Sequence, residues 1–302
     1  MRDKALLVEL EPTGADLLDR HVATAKEWFP HEFVPWGRGR DFTEGERFDP
    51  DVAQVPEAVR SALVVNLLTE DNLPHYHHTM MRYFGNSDVW SEWTKRWTAE
   101  EGRHSIVIRD YLTVTRSVDL RALERARMTQ VSRGVVPDPP TIHDGIVYVA
   151  LQEIATRIAH RNTGKLLNDP AGEAIMSRVA ADENLHHLYY RDLCSAALEI
   201  DPSGMVAAIE RQVRHFEMPG VGIPDFGRHA RAIADAGVYD FASHHDQILV
   251  PVILKHWRID RVQNLKAAGE QARERLLHHM ERMNSAAKRL LARRARRTAP
   301  AM

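Results

Sequence analysis

Apolar residues recur every three to four positions along most of the chain, and strictly alternating runs are nearly absent. That periodicity predicts helices throughout. A first helix is expected over about 14–28, ended by the Pro- and Gly-bearing stretch 30–45. Pro56 suits the first turn of a second helix, expected over 57–84 with a local kink at Leu73-Pro74, where one backbone bond is lost. Gly85 to Ser87 turn the chain into a helix over 88–116, and a shorter one follows over 119–133, closed by Gly134 and the breaker Pro137-Asp138-Pro139-Pro140. The plan then repeats: 141–167, 171–199 and a helix opened by Asp201-Pro202. Pro219, Gly220, Gly222, Pro224 and Gly227 mark the longest loop, and helices resume over 228–236, 240–257 and 267–297. About ten helices with short connections read as one all-α domain spanning 1–302, with a basic tail from about 290.

At 302 residues the chain can bury a sizeable core without disulfide staples, and Cys194, its only cysteine, excludes an intrachain disulfide. A net charge of −2 carries no signature of nucleic-acid or membrane binding. No stretch approaches the ~20 apolar residues of a membrane span, and the first residues lack an apolar signal core. A soluble, cytoplasmic protein is expected.

The chemistry lies in a repeated motif. Glu101-Gly-Arg-His104 is preceded by Glu70, and Glu183-Asn-Leu-His186 by Glu153, at offsets of 31 (101 − 70) and 30 (183 − 153). With 17 His in 302 residues a single Glu-x-x-His means little, but two copies in one hairpin plan are hard to obtain by accident. Positions i and i+3 share a helix face, so each Glu/His pair can grip one metal, with Glu70 and Glu153 reaching in from facing helices. This donor set is the one that ferritin-like di-iron four-helix bundles use. Carboxylates and imidazoles suit iron, and four carboxylates neutralise two ferrous ions, which avoids an uncompensated buried charge.

Residues around the motif add to this reading. Trp90, Trp93 and Trp97 lead into Glu101 on one face; as core packing they need no further explanation, but beside a metal site they would also form one wall of a narrow apolar pocket. Thr156 follows Glu153 by three residues, so its hydroxyl should face the cluster, unless it only bonds back to the preceding turn. Asp182 precedes a ligand and can orient a ligand histidine. His160 reads as a satisfied core histidine; His75, His77, His78 and His187 lack the pairing logic.

With these motifs in hand, the chain resembles the soluble acyl-(acyl-carrier-protein) desaturases of plant plastids and actinobacteria. The strings that carry the resemblance are Leu68-Thr-Glu-Asp-Asn-Leu-Pro74, Trp97-Thr-Ala-Glu-Glu-Gly-Arg-His104, Gln152-Glu-Ile-Ala-Thr156, Ala180-Ala-Asp-Glu-Asn-Leu-His186 and Glu199-Ile-Asp-Pro202. Trp28-Phe-Pro-His-Glu-Phe-Val-Pro35, Gly237-Val-Tyr-Asp240 and His256-Trp-Arg-Ile-Asp260 extend it to roughly residues 5–290. The resemblance implies a ferritin-like bundle core with flanking helices. Its implied iron ligands are Glu70, Glu101, His104, Glu153, Glu183 and His186, two iron ions per subunit, with O₂ as co-substrate. It implies that Thr156 assists oxygen activation and that Trp28 and Asp182, with a ligand histidine, link the cluster to an electron donor. The implied activity is insertion of a cis double bond into a saturated acyl chain borne by acyl carrier protein, in fatty acid biosynthesis. Reduced ferredoxin would supply two electrons to a homodimer. Because the carrier is acidic in this family, Arg293, Arg294, Arg296 and Arg297 are candidates for docking it. Gly102 and Leu185 replace polar or basic residues of the plant enzymes, and the pocket helix around Thr79, Arg82 and Tyr83 departs from their pattern, so chain length and double-bond position cannot be inherited. The competing readings are a di-iron N- or C-oxygenase and a ferritin-type iron- or oxygen-handling protein.

Overall fold

The computed structural model describes residues 2–49, 55–85, 88–220 and 222–298, and these contain helices and no strand. Four helices matter most: α3 (Glu57–Glu70), α5 (Asp88–Thr115), α7 (Ile142–Leu166) and α8 (Pro170–Ile200). α7 and α8 pair most extensively, as the three-residue link between them dictates. Thr141 caps α7 by accepting the Asp144 N–H at 3.2 Å, and Asp169 caps α8 ahead of Pro170 by accepting the Ala171 N–H at 3.3 Å. The pair packs closely at Gly164, where an added Cβ would lie 2.9 Å from the Met176 Cβ. Both helices bury nearly every inward position, Ile146, Val147, Leu151 and Val179 among them, and the resulting core surrounds their polar residues.

Against this core lie α1 (Arg2–Thr24), the short α2 (Pro30–Phe33), α4 (Leu73–Phe84), α6 (Leu120–Arg133), α9 (Pro202–His215), α10 (Phe226–Asp235), α11 (Phe241–His244) and α12 (Ala267–Thr298). Three helices differ from expectation. α1 runs from Arg2 to Thr24 rather than from near Gly14 to Trp28, and carries Pro12 inside it; Leu6, Leu7 and Leu10 form an apolar stripe that tertiary packing holds helical. The helix expected over 57–84 is two helices, broken rather than kinked at Asp71-Asn72. Asp71 is clamped by Arg127 (2.7 and 2.9 Å), Asn72 donates to the Val135 carbonyl at 2.9 Å, and Pro74 sits in the first turn of α4. The helix expected over 240–257 is α11 followed by a π-helix, His245–His256, with Pro251 inside it; a proline lacks the N–H that a regular ladder needs. Of the turn expected at Gly85–Ser87, residues 86 and 87 lie outside the described ones, as do Met1 and 299–302 of the expected 1–302 domain. In the basic tail Arg294 is already engaged with Asp240 and the Ala234 carbonyl, and the side chain of Arg297 lies outside the described residues.

Candidate metal centre

Glu70 ends α3, Glu101 and His104 sit mid-way along α5, Glu153 on α7, and Glu183 and His186 on α8. All six are buried, at 0–6 % exposure, and they converge. Two four-residue donor sets result, each with its ligand atoms within 4.8 Å of one another: Glu70, Glu101, His104 and Glu183, and Glu101, Glu153, Glu183 and His186. Glu101 and Glu183 belong to both sets. Each half thus contains one motif pair, Glu101 with His104 or Glu183 with His186, and each motif glutamate also belongs to the other half.

Distances fix the orientation of each donor. His104 Nδ1 lies 3.7 Å from Glu70, 3.2 Å from Glu101 and 3.5 Å from Glu183. His186 Nδ1 lies 2.9 Å from Glu101 Oε1 and 3.7 Å from Glu153 Oε2. These last three atoms are buried without a hydrogen-bond partner, although two of them are only 2.9 Å apart. Buried polar atoms are almost always satisfied. Donors aimed inward without bonding to each other fit a cation as their shared partner.

Electrostatics agree. Burial pushes the Glu101 carboxyl up to about 7, helped by the charge on Glu183, and burial together with Glu183 drives Glu153 well above the usual carboxylate range. Burial would raise Glu183 too, but hydrogen bonds from His104 and His160 outweigh it and hold that group well below. Burial disfavours charge on His104 and His186, yet the surrounding carboxylates raise both well above an ordinary imidazole. Four carboxylates can share this dry space only by borrowing protons or by gaining a positive partner. Two divalent ions would supply four positive charges.

Outside the ligands the arrangement is nearly two-fold. Asp182 and Glu100 each directly precede a glutamate of one motif and bond the histidine of the other. Asp182 Oδ2 is 3.4 Å from His104 Nε2, and Glu100 Oε2 is 2.9 Å from His186 Nε2. Asp182 Oδ2 also accepts from Trp28 Nε1 at 2.8 Å and from Arg103 at 3.1 Å, and Arg178 donates to Oδ1. Burial alone would raise Asp182; the His104 hydrogen bond, His104 and His186 charge and Trp28 bring it down to about 2. Glu100 takes His21 Nε2 at 2.9 Å and Arg96 at 2.6 Å. Neither Glu100 nor His21 was singled out from sequence, although an acid stands immediately before the glutamate in both motifs. His160, read as a core histidine, lies 3.2 Å from Glu70 and 3.4 Å from Glu183, whose hydrogen bonds raise it to about 9 against the effect of burial.

Thr156 donates to Glu183 Oε2 at 2.9 Å and also contacts the Glu153 and Gln152 carbonyls, so both orientations weighed for it are within reach. Trp97 Nε1 donates to Glu153 at 3.0 Å. Its ring also lines an apolar cavity of about 50 Å³ with Thr79, Tyr76, Tyr83, Phe84 and Tyr148. Trp93 lies away from that cavity. It stacks on Tyr189 at 3.6 Å and meets His186 edge-on, because its position on α5 faces α8 and α1. A second crevice, about 90 Å³, reaches Glu70, Thr156 and His160 between α3, α7 and α10, and shares Met218 and Tyr239 with a surface groove of about 790 Å³. Arg214, His278, His279, Arg282 and Arg289 line that groove. No helix among the described residues is long and apolar enough to cross a membrane.

A sequence model described as fatty acid desaturase matches residues 2–302. DesA1 of Mycobacterium tuberculosis, assigned as an acyl-[acyl-carrier-protein] desaturase, is 42% identical over 286 residues, covering 91% of this chain and 84% of its own. A chloroplastic stearoyl-[acyl-carrier-protein] 9-desaturase of Arabidopsis thaliana is 31% identical, covering 87% and 74%. The X-ray structure of DesA2 from Mycobacterium tuberculosis, assigned to the same activity, superposes with a TM-score of 0.72 at 27% identity, over 89% of this chain and 99% of that one. The observed helical architecture is thus that of a ferritin-like relative.

Proposed function

Because the chain belongs to the fatty acid desaturase family, we propose that it is an acyl-[acyl-carrier-protein] desaturase that converts two adjacent methylenes of a saturated acyl chain into a cis double bond. The observation that carries this reading is the pair of donor sets sharing Glu101 and Glu183, set beside an apolar cavity through one residue, Trp97. The reaction balances as removal of two hydrogens with O₂ and two electrons plus two protons, giving two waters. Glu70 and His104 would hold one iron, Glu153 and His186 the other, with Glu101 and Glu183 between them. Bound there, an iron pair supplies the O₂-dependent oxidising power that ordinary side chains lack.

The chain's own residues do the rest. Thr79, Tyr76, Phe84 and Trp97 offer an apolar wall that keeps a methylene chain beside the centre and excludes water. The Thr156 hydroxyl, held on Glu183, is placed to pass a proton at that carboxylate. Trp28, bonded to Asp182 and through it to His104, is the route by which a ferredoxin-type donor would reach the centre. The groove that shares Met218 and Tyr239 with the inner crevice carries Arg214, Arg282 and Arg289 beside Asp240 and Glu281, and with the C-terminal arginines it is a candidate surface for the acidic carrier. A homodimeric assembly with one centre per subunit completes the reading.

The test supplies iron-loaded protein with reduced ferredoxin, O₂ and a panel of saturated acyl-carrier-protein thioesters, and reads product mass. Loss of two hydrogens supports a desaturase. Gain of an oxygen identifies an oxygenase, and uptake of many irons per subunit a storage protein.

A further inference from the structure

Glu100 is 3 % exposed, and one of its oxygens takes two imidazoles: His186 Nε2 and His21 Nε2, each at 2.9 Å. A carboxylate only accepts, so each of those nitrogens carries the proton. With Nε2 committed to Glu100, Nδ1, the atom that faces Glu101 and Glu153, is the nitrogen of His186 left to take a metal. His21 reaches this position from α1. Its ring lies 5.7 Å from that of His186 at 20° and meets Trp93 edge-on at 5.0 Å, so packing fixes its angle. The other oxygen of Glu100 takes Arg96 at 2.6 Å, with Arg103 at 4.0 Å. Removing His21 would leave Oε2 with the His186 hydrogen bond, against Arg96 and Arg103 on the other oxygen.

We propose that His21 is a positioning residue: through Glu100 it fixes His186 with Nδ1 as the metal-binding nitrogen and so sets the affinity of one half of the centre. That half is Glu101, Glu153, Glu183 and His186; the half holding His104 is oriented by Asp182 instead and does not depend on His21. The inference rests on the metal-centre reading above and adds a residue that no ligand motif contains. Removing such an outer partner typically costs 10–100-fold in metal affinity.

The test is an anaerobic titration of metal-free protein with Co(II), followed by visible absorption and calorimetry, with no turnover required. His21→Phe keeps a ring against His186 and Trp93 but deletes the donor; His21→Gln keeps a donor; His21→Leu repeats the deletion should the Phe variant not fold. The wild type should take two ions. The Phe or Leu variant should keep one at wild-type affinity and bind the second about 10–100-fold more weakly, while Gln restores it to within about threefold. Two ions at unchanged affinity in the deletion variant, or equal weakening of both, would overturn the role of His21. A wild type that takes up no metal would overturn the centre and this inference together.

Discussion

The two arms that leave the centre differ in where they end. His104 passes to Asp182 and then to Trp28, whose ring is also flanked by the guanidinium groups of Arg103 and Arg178 at 4.9 and 5.9 Å. His186 passes to Glu100 and then to His21, enclosed by Trp93 and stacked on His186 itself. The first arm spends four donors on one carboxylate and terminates in a buried indole beside two guanidinium groups; the second terminates in an equally buried imidazole held against Trp93. A repeated motif therefore supplies equivalent ligands, while tertiary context gives the halves separate outer connections. On the proposed reading, one arm would serve an electron donor and the other would hold a ligand still.

The largest expected effect falls where the arms meet. Glu183→Ala removes a donor from both sets, so the protein should retain neither ion and show no desaturation; His104→Ala should lose one ion and keep the other, as measured by metal analysis. Next come the two orienting acids. Asp182→Asn and Glu100→Gln should each weaken one ion by about 10–100-fold, with Asp182→Asn the more disruptive because it strips Arg103 and Arg178 of their anion. Trp28→Phe deletes one hydrogen bond, costing about 1 kcal/mol of stability. It should leave both ions bound and slow turnover with a protein donor more than turnover with a small chemical reductant. An equal slowing with both would break the contrast between the arms.

The remaining contrast is in pH. Glu101 and His160 are both raised in the folded state, to about 7 and about 9. Their stabilisation is full below the unfolded values of 4.5 and 6.5 and is lost as pH rises through 7 and then 9. Metal-free protein should thus melt at a lower temperature at pH 9 than at pH 5, whereas metal-loaded protein should show a flatter profile, since ligation requires the deprotonated donors. Differential scanning calorimetry of both forms checks this.

The six converging donors were legible because metal chemistry demands particular side chains at i and i+3, a local spacing that survives without knowledge of packing. Glu100 was legible in principle from the acid before each glutamate. His21 was not: it meets Glu100 across 79 positions, and only the docking of α1 on α5 and α8 brings them together. The misplaced start of α1 has the same origin, since Pro12 and Gly14 look like a boundary until Trp90 is seen packed against Gly14. Likewise the break at Asp71-Asn72 depends on Arg127 and the Val135 carbonyl, both far along the chain. Trp93 was assigned to the pocket by helical phase alone, which distinguishes the face of a helix but not which neighbour covers it.

The most direct test of the shared centre is anomalous scattering from crystals of the protein loaded anaerobically with Fe(II). Two peaks roughly 3.5–4 Å apart, both within bonding reach of Glu101 and Glu183, are predicted. A single peak, or iron bound away from these two carboxylates, would contradict the account.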